Sequence, residues 1–119
     1  MAANVTTMKG GTINITLAGD VDWEWDSATE IASAPQLNDL RHLKGLFIHS
    51  ISFDPNAAGD KVSIRECAID GPVIFHASGS DTYDQRSIDF RGAFIRGIYI
   101  DKDDVTSDSD AATVRIILA

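Results

Sequence analysis

The chain has 119 residues, 44% of them hydrophobic, and a formal net charge of -8. This length predicts one domain, residues 1–119, built around one core. Eighteen acidic residues outnumber ten scattered basic ones, so we expect neither nucleic acid nor an anionic membrane as a partner. The first eight residues lack the features of a secretory signal, and no apolar run reaches the about 20 residues that span a bilayer.

The first half of the chain contains two segments with the alternation of a strand. In residues 12–17, isoleucine and leucine alternate with threonine and asparagine, a period of two that indicates a half-buried strand. Residues 21–25 alternate apolar side chains with acids in the same way. Residues 27–35 are small and polar and predict a loop. Leucines spaced by three in residues 36–44 are compatible with one or two helical turns or with an extended connection.

The segment 46–53 is the strongest predicted strand. If its alternation is unbroken, Phe47, His49, Ile51 and Phe53 share one face and the residues between them share the other. Pro and Gly then mark a turn at residues 54–60.

The remaining strands follow at intervals of about ten residues. Segments 61–67 and 73–77 flank the turn Asp70-Gly71-Pro72 and predict a β-hairpin, with Val62 and Ile64 pointing inward. The last predicted strands are 86–90, 94–100 and 113–118. Seven or eight short strands separated by Gly, Pro and Asp turns predict an all-β fold, an antiparallel β-sandwich or barrel of the jelly-roll kind.

Two tryptophans at positions i and i+2, Trp23 and Trp25, lie on the same side of a predicted strand between acidic residues. One interpretation is that both fill the core. The alternative is a contact surface, because tryptophan is enriched in interface hot spots and in sugar-stacking platforms. Trp23 and Trp25 are therefore candidate partner contacts.

Three arginines recur at intervals of five residues in this acidic chain: Arg86, Arg91 and Arg96. Surface ion pairs are the simplest explanation. The alternative is a subunit interface, in which acidic side chains of a neighbouring copy pair with these arginines.

No segment predicts a catalytic, cofactor or metal site. The acidic stretch 101–110 lacks calcium-loop residues at the fifth, sixth and twelfth positions, where Val105, Thr106 and Ala112 stand. Ser78-Gly79-Ser80-Asp81 does not match a nucleophile elbow. We therefore predict that the chain is not an enzyme, needs no cofactor, and uses 101–110 as a solvated loop.

The three histidines and the single cysteine have no zinc-type spacing. We predict that His49 and His76 are core or interface side chains within strands, and assign no role to His42. Cys67 has no partner for an internal disulfide and no activating neighbour, so a small buried side chain is predicted.

Four segments resemble a class of short virion proteins of tailed bacteriophages, the capsid decoration or cement proteins. They are residues 70–75 (DGPVIF), 83–86 (YDQR), 97–101 (GIYID) and 112–119 (ATVRIILA). The resemblance also lies in chain length, in the order of these segments and in the terminal apolar strand. It covers about 50 residues, leaves the tryptophan-containing half unmatched and brings no catalytic residue with it.

The resemblance implies a protein that binds the major capsid protein on the outer surface of a virion assembled in the host cytoplasm. It also implies a homo-oligomer, commonly a trimer, that stabilises the shell across capsomer boundaries. The acidic charge suits a position away from packaged DNA. The alternative is a carbohydrate- or receptor-binding module that uses Trp23 and Trp25.

Overall fold

The structure, a computed structural model, describes residues 4–17, 22–25, 44–79, 86–107 and 112–119. The predicted helical turns of 36–44 therefore lie outside the described residues except for Lys44. No helix in the described part of the chain is long and apolar enough to cross a membrane.

The described residues form nine strands, in the chain order β1 (Val5–Lys9), β2 (Thr12–Thr16), β3 (Trp23–Trp25), β4 (Leu46–Asp54), β5 (Lys61–Glu66), β6 (Val73–Ser78), β7 (Arg86–Ile95), β8 (Ile98–Ile100) and β9 (Thr113–Leu118). A short 3₁₀ turn, Lys102–Asp104, precedes β9. The strands make two antiparallel sheets, one in the order β1-β2-β9-β4-β7 and the other in the order β3-β8-β5-β6. The predicted all-β, antiparallel sandwich is confirmed.

The pairing pattern explains the jelly-roll order. β2 pairs with β9, β3 with β8, β4 with β7 and β5 with β6. These are the pairs of one long hairpin that turns between β5 and β6. Rolling that hairpin over brings β9 beside β4 and β8 beside β5. The result is two sheets that face each other, with β1 added at one edge.

The core lies between the two sheets and is filled by alternate strand residues. Ile13 and Ile15 point inward from β2, and Val62 and Ile64 point inward from β5, all with no exposed surface. The inward direction predicted for Val62 and Ile64 is confirmed, as is the β5–β6 hairpin. Burying about 19 apolar side chains in this space is the main stabilising contribution.

β4 departs from the predicted alternation. Leu46 and Ile48 point inward, and so do Ile51 and Phe53, because a bulge between Ile48 and Ser50 shifts the pattern by one residue. The prediction that Phe47, His49, Ile51 and Phe53 share a face was therefore wrong. A bulge inserts a residue without changing the residue types around it, so an alternation pattern does not reveal it.

Two further differences concern strand boundaries. β1 was not predicted, because Val5–Lys9 holds only two apolar residues. The segments 86–90 and 94–100 were predicted as two strands separated at Gly92, but Arg86–Ile95 is one strand, and β8 covers only Ile98–Ile100.

Candidate interaction surfaces

Trp23 and Trp25 lie in the core. Trp25 has no exposed surface and Trp23 is 6% exposed. Trp23 Nε1 donates a hydrogen bond of 2.7 Å to Thr6 Oγ1, which joins β3 of one sheet to β1 of the other. The prediction that these two residues contact a partner is corrected, because stacking on a sugar or docking on a shell requires an open indole face.

The three arginines lie along one strand edge instead of in one patch. Arg86 begins β7, Arg91 lies within it and Arg96 follows its last residue. Five residues of regular strand span about 16 Å, and although the irregularity at Arg91 shortens this distance, neighbouring arginines do not lie side by side. All three side chains are exposed, and the Arg96 main-chain N–H donates to Glu66 Oε2 over 3.1 Å. A partner that contacts all three must therefore follow β7 lengthwise.

Arg91 occupies a large irregularity in β7. Ile48 pairs with Ala93 and Ser50 with Asp89, so three residues of β7 oppose the single residue His49. Arg91 and the following glycine have φ values of 53° and 81°. The Asp89 carboxylate accepts a hydrogen bond of 2.8 Å from the Arg91 N–H, which stabilises this left-handed conformation. The irregularity interrupts the outer edge of the five-stranded sheet.

Two phenylalanines form an exposed aromatic pair on the outer face of the same sheet. Phe47 of β4 is 51% exposed and Phe94 of β7 is 42% exposed. Their ring centroids are 4.9 Å apart with the planes tilted by 56°. Ile117 of β9, 36% exposed, points outward on the strand next to Phe47. We call Phe47, Phe94 and Ile117 the aromatic patch.

The backbone holds the aromatic patch in place. The Phe47 carbonyl accepts a hydrogen bond from the Ala119 N–H on the β9 side, over 2.9 Å. Phe47 and Phe94 are therefore a non-hydrogen-bonded pair of the β4–β7 ladder, the kind whose side chains approach most closely. The Phe94 ring lies over Gly45, where an added Cβ would be 2.4 Å from its Cζ atom. The two rings are thus pre-positioned without a partner.

A groove with a volume of about 540 Å³ lies between β6, the edge strand of the four-stranded sheet, and β7, the edge strand of the five-stranded sheet. All six residues of β6 line it, together with Arg86, Ser87 and Ile88. Both side-chain directions of β6 contribute, so the feature shared by its lining is the backbone edge of the strand. No acidic residue is among the described lining residues.

A polar contact fixes the start of β3 to the end of β8. The Tyr99 hydroxyl donates to Asp22 Oδ2 over 2.5 Å, and the Lys102 N–H donates to Asp22 Oδ1 over 2.8 Å. The hydrogen bond from Tyr99 and then that from Lys102 lower the pKa of Asp22. The same Asp22 contact raises the pKa of Tyr99 to about 12. This pair is a structural clamp, because it ties the residue before β3 to β8 and to the backbone that follows β8.

In the described part of the acidic stretch, two aspartates make structural contacts within the chain. Asp101 caps the 3₁₀ turn by accepting from the Asp103 N–H, and Asp104 Oδ2 lies 3.8 Å from Arg65 Nε. Among the described residues no three His, Cys, Asp or Glu side chains are grouped as a metal site would require. Residues 108–111 of this stretch lie outside the described residues.

The prediction that Cys67 is buried was wrong, and His49 and His76 are exposed, so neither is a core side chain and their interface role stays a prediction. His49 points outward because the β4 bulge reverses its face, and His76 lies on the outer face of β6. His76 Nδ1 is hydrogen-bonded at 2.7 Å to Ser63 Oγ on the neighbouring strand β5. Cys67 is exposed in the turn after β5, with a φ of 70°. His42, Ser80 and Asp81 lie outside the described residues.

The aromatic patch and the β6 edge were not predicted from the sequence. Phe47 was correctly assigned to a strand, but its outward direction depends on the bulge at His49. Which strands form sheet edges depends on pairing between segments far apart in the chain. Phe94 is exposed although it directly precedes the buried Ile95, and nothing in the local sequence signals that exposure.

Comparison with known proteins gives no relative: no family profile, no curated protein and no solved structure matches the chain.

Proposed function

We propose that the chain is a structural virion protein, a capsid decoration protein that binds the major capsid protein on the outer surface of a phage head. The observation that supports this proposal best is the aromatic patch. Monomeric proteins rarely leave two packed phenylalanines exposed side by side, and such groups are typical anchors of protein interfaces. The resemblance of the four segments points to the same class of protein.

Three further observations agree with an adhesive role. The patch lies on a sheet in which β4 is hydrogen-bonded to a strand on each side, so its backbone loses little conformational entropy on binding. The jelly-roll fold also occurs in viral capsid proteins, although this is an analogy of fold alone. The charge of -8 keeps the protein soluble and away from DNA.

The patch replaces the tryptophans as the expected anchor. A stable and specific interface buries about 800 Å² on each partner, and the whole chain exposes 6178 Å². Truncating an anchor residue typically costs about 2 kcal/mol, which is roughly a thirty-fold loss in affinity. The carbohydrate- or receptor-binding alternative loses its stacking platform, because Trp23 and Trp25 are buried.

The test is a binding titration with purified protein against mature heads and unexpanded proheads of the phage that encodes the chain. We expect binding to mature heads, weaker binding to proheads, and a loss of about thirty-fold for Phe94→Ala. Val5→Ala removes another exposed apolar side chain, 56% exposed at the far edge of the same sheet, and is the matched control. Failure of the wild-type protein to bind mature heads would refute the proposal.

A further inference from the structure

We infer that the edge of β6 with which no described residue pairs binds the β6 edge of a second copy of this chain, in antiparallel register about a two-fold axis at Ala77. The inference is independent of binding to a shell. It goes beyond the trimer that the resemblance implies, which remains a prediction.

The ladder between β5 and β6 determines which backbone groups of β6 are free. Lys61 of β5 exchanges main-chain hydrogen bonds with Thr106, on the side of β5 away from β6, at 2.9 Å each. Successive residues of a strand direct their N–H and C=O groups to opposite edges. Val62 therefore faces β6, where Ala77 is its partner.

It follows that the N–H and C=O groups of His76 and Ser78 point away from β5. No described residue pairs with them, because β6 is the last strand of its sheet. Unpaired groups of this kind are a template for another strand. Four hydrogen bonds form if His76 of one copy pairs with Ser78 of the other, and the reverse.

The side chains of this register complement each other. On the outer face each imidazole lies opposite the Ser78 hydroxyl of the second copy, and Nδ1 is already engaged by Ser63, so Nε2 faces outward. On the inner face Ala77 lies opposite itself, where the small side chain permits the close approach of a non-hydrogen-bonded pair. Phe75 lies opposite Gly79, which has no side chain to obstruct the ring.

The other three sheet edges are protected in ways that β6 is not. β1 ends in Lys9, β3 carries Glu24 within its described span Trp23–Trp25, and β7 is interrupted at Arg91 and Gly92. Charges, short strands and bulges are the usual means of preventing edge-to-edge pairing. β6 contains no Asp, Glu, Lys, Arg or Pro.

Charge also favours this edge as the place where two copies meet. The chain carries a net charge of -8, so two copies repel each other over most orientations. The described lining of the groove beside β6 holds Arg86 and no acid. The described residues of β6 therefore present no carboxylate to a second copy.

The first test measures self-association by sedimentation equilibrium. We expect wild-type protein to form dimers, and Ser78→Lys to raise the dissociation constant at least about tenfold, because a charge is placed at the paired edge. Thr7→Lys adds the same charge on the exposed face of β1, an edge strand of the other sheet, and should leave the dissociation constant within about twofold of the wild-type value. A wild-type monomer up to about 1 mM, or equal effects of the two variants, overturns the inference.

The second test fixes the register by disulfide trapping in a Cys67→Ser background. Ala77→Cys should cross-link to itself under oxidation. His76→Cys and Ser78→Cys should cross-link when mixed and much less when each is alone, since paired Cα atoms lie about 5.5 Å apart, within disulfide range. Cross-linking of His76→Cys with itself, in preference to the mixture, contradicts this register.

Discussion

Replacing the hydroxyl of Thr6 tests whether Trp23 is a structural residue. Thr6 is 2% exposed, and its Oγ1 accepts the indole hydrogen bond of 2.7 Å that links the two sheets. Thr6→Val keeps the shape of the side chain but leaves the buried indole N–H unpaired. An unpaired buried group costs about 1–3 kcal/mol, which for a domain of this size lowers the melting temperature by roughly 4 °C per kcal/mol.

The double-mutant cycle makes this test quantitative. Trp23→Phe removes the donor and leaves the threonine hydroxyl unpaired, so the two single variants should each destabilise and the double variant should lose less than their sum. We expect a coupling of about 1 kcal/mol, measured by urea unfolding followed by circular dichroism. Thr7→Val, on the exposed face of β1, is the control and should stay within about 0.5 kcal/mol. Additive single effects, or a neutral Thr6→Val, would refute a stabilising hydrogen bond between Thr6 and Trp23.

The remaining predictions concern the clamp and the aromatic patch. The folded pKa of Asp22 is lowered, so its contribution to stability is present above about pH 4 and is lost as pH falls through the folded pKa. The folded pKa of Tyr99 is raised to about 12, so its contribution to stability is present below about pH 10 and is lost as pH rises through about 12. Tyr99→Phe should therefore flatten both ends of the stability–pH curve, and an unchanged curve contradicts the clamp. Gly45→Ala places a Cβ 2.4 Å from the Phe94 ring and 2.7 Å from a backbone oxygen, and should cost about 1–3 kcal/mol in thermal unfolding. Gly11→Ala, with its nearest contact at 3.8 Å, is the tolerated control, and equal melting temperatures for the two variants would contradict the packing at Gly45.

The strands were predictable from the sequence because alternation is a local property. Residues 12–17 alternate without interruption, Thr113–Leu118 alternates at its start, and the two form strands that pair with each other in the five-stranded sheet. The β5–β6 hairpin was equally predictable, since the turn at Asp70-Gly71-Pro72 lies between two alternating segments. Those features depend only on neighbours in the chain.

The surfaces were harder to predict because they depend on distant parts of the chain. The outward direction of Phe47 results from a bulge whose partner residues lie more than 40 positions away in β7. Trp23 and Trp25 were correctly placed on one side of a strand, but which side faces the core is decided by β8 and by Thr6 of β1. A sequence pattern gives the two faces of a strand and leaves open which face a second sheet covers.

The most direct test of the proposed function is the thermal stability of phage heads with and without this protein. Heads stripped of the protein should release their DNA at a lower temperature, and adding back wild-type protein should restore the original value. Phe94→Ala should restore it only at much higher concentration, whereas Val5→Ala should behave as wild type. Heads whose release temperature is the same with the protein present or absent would contradict the account of a decoration protein that stabilises the shell.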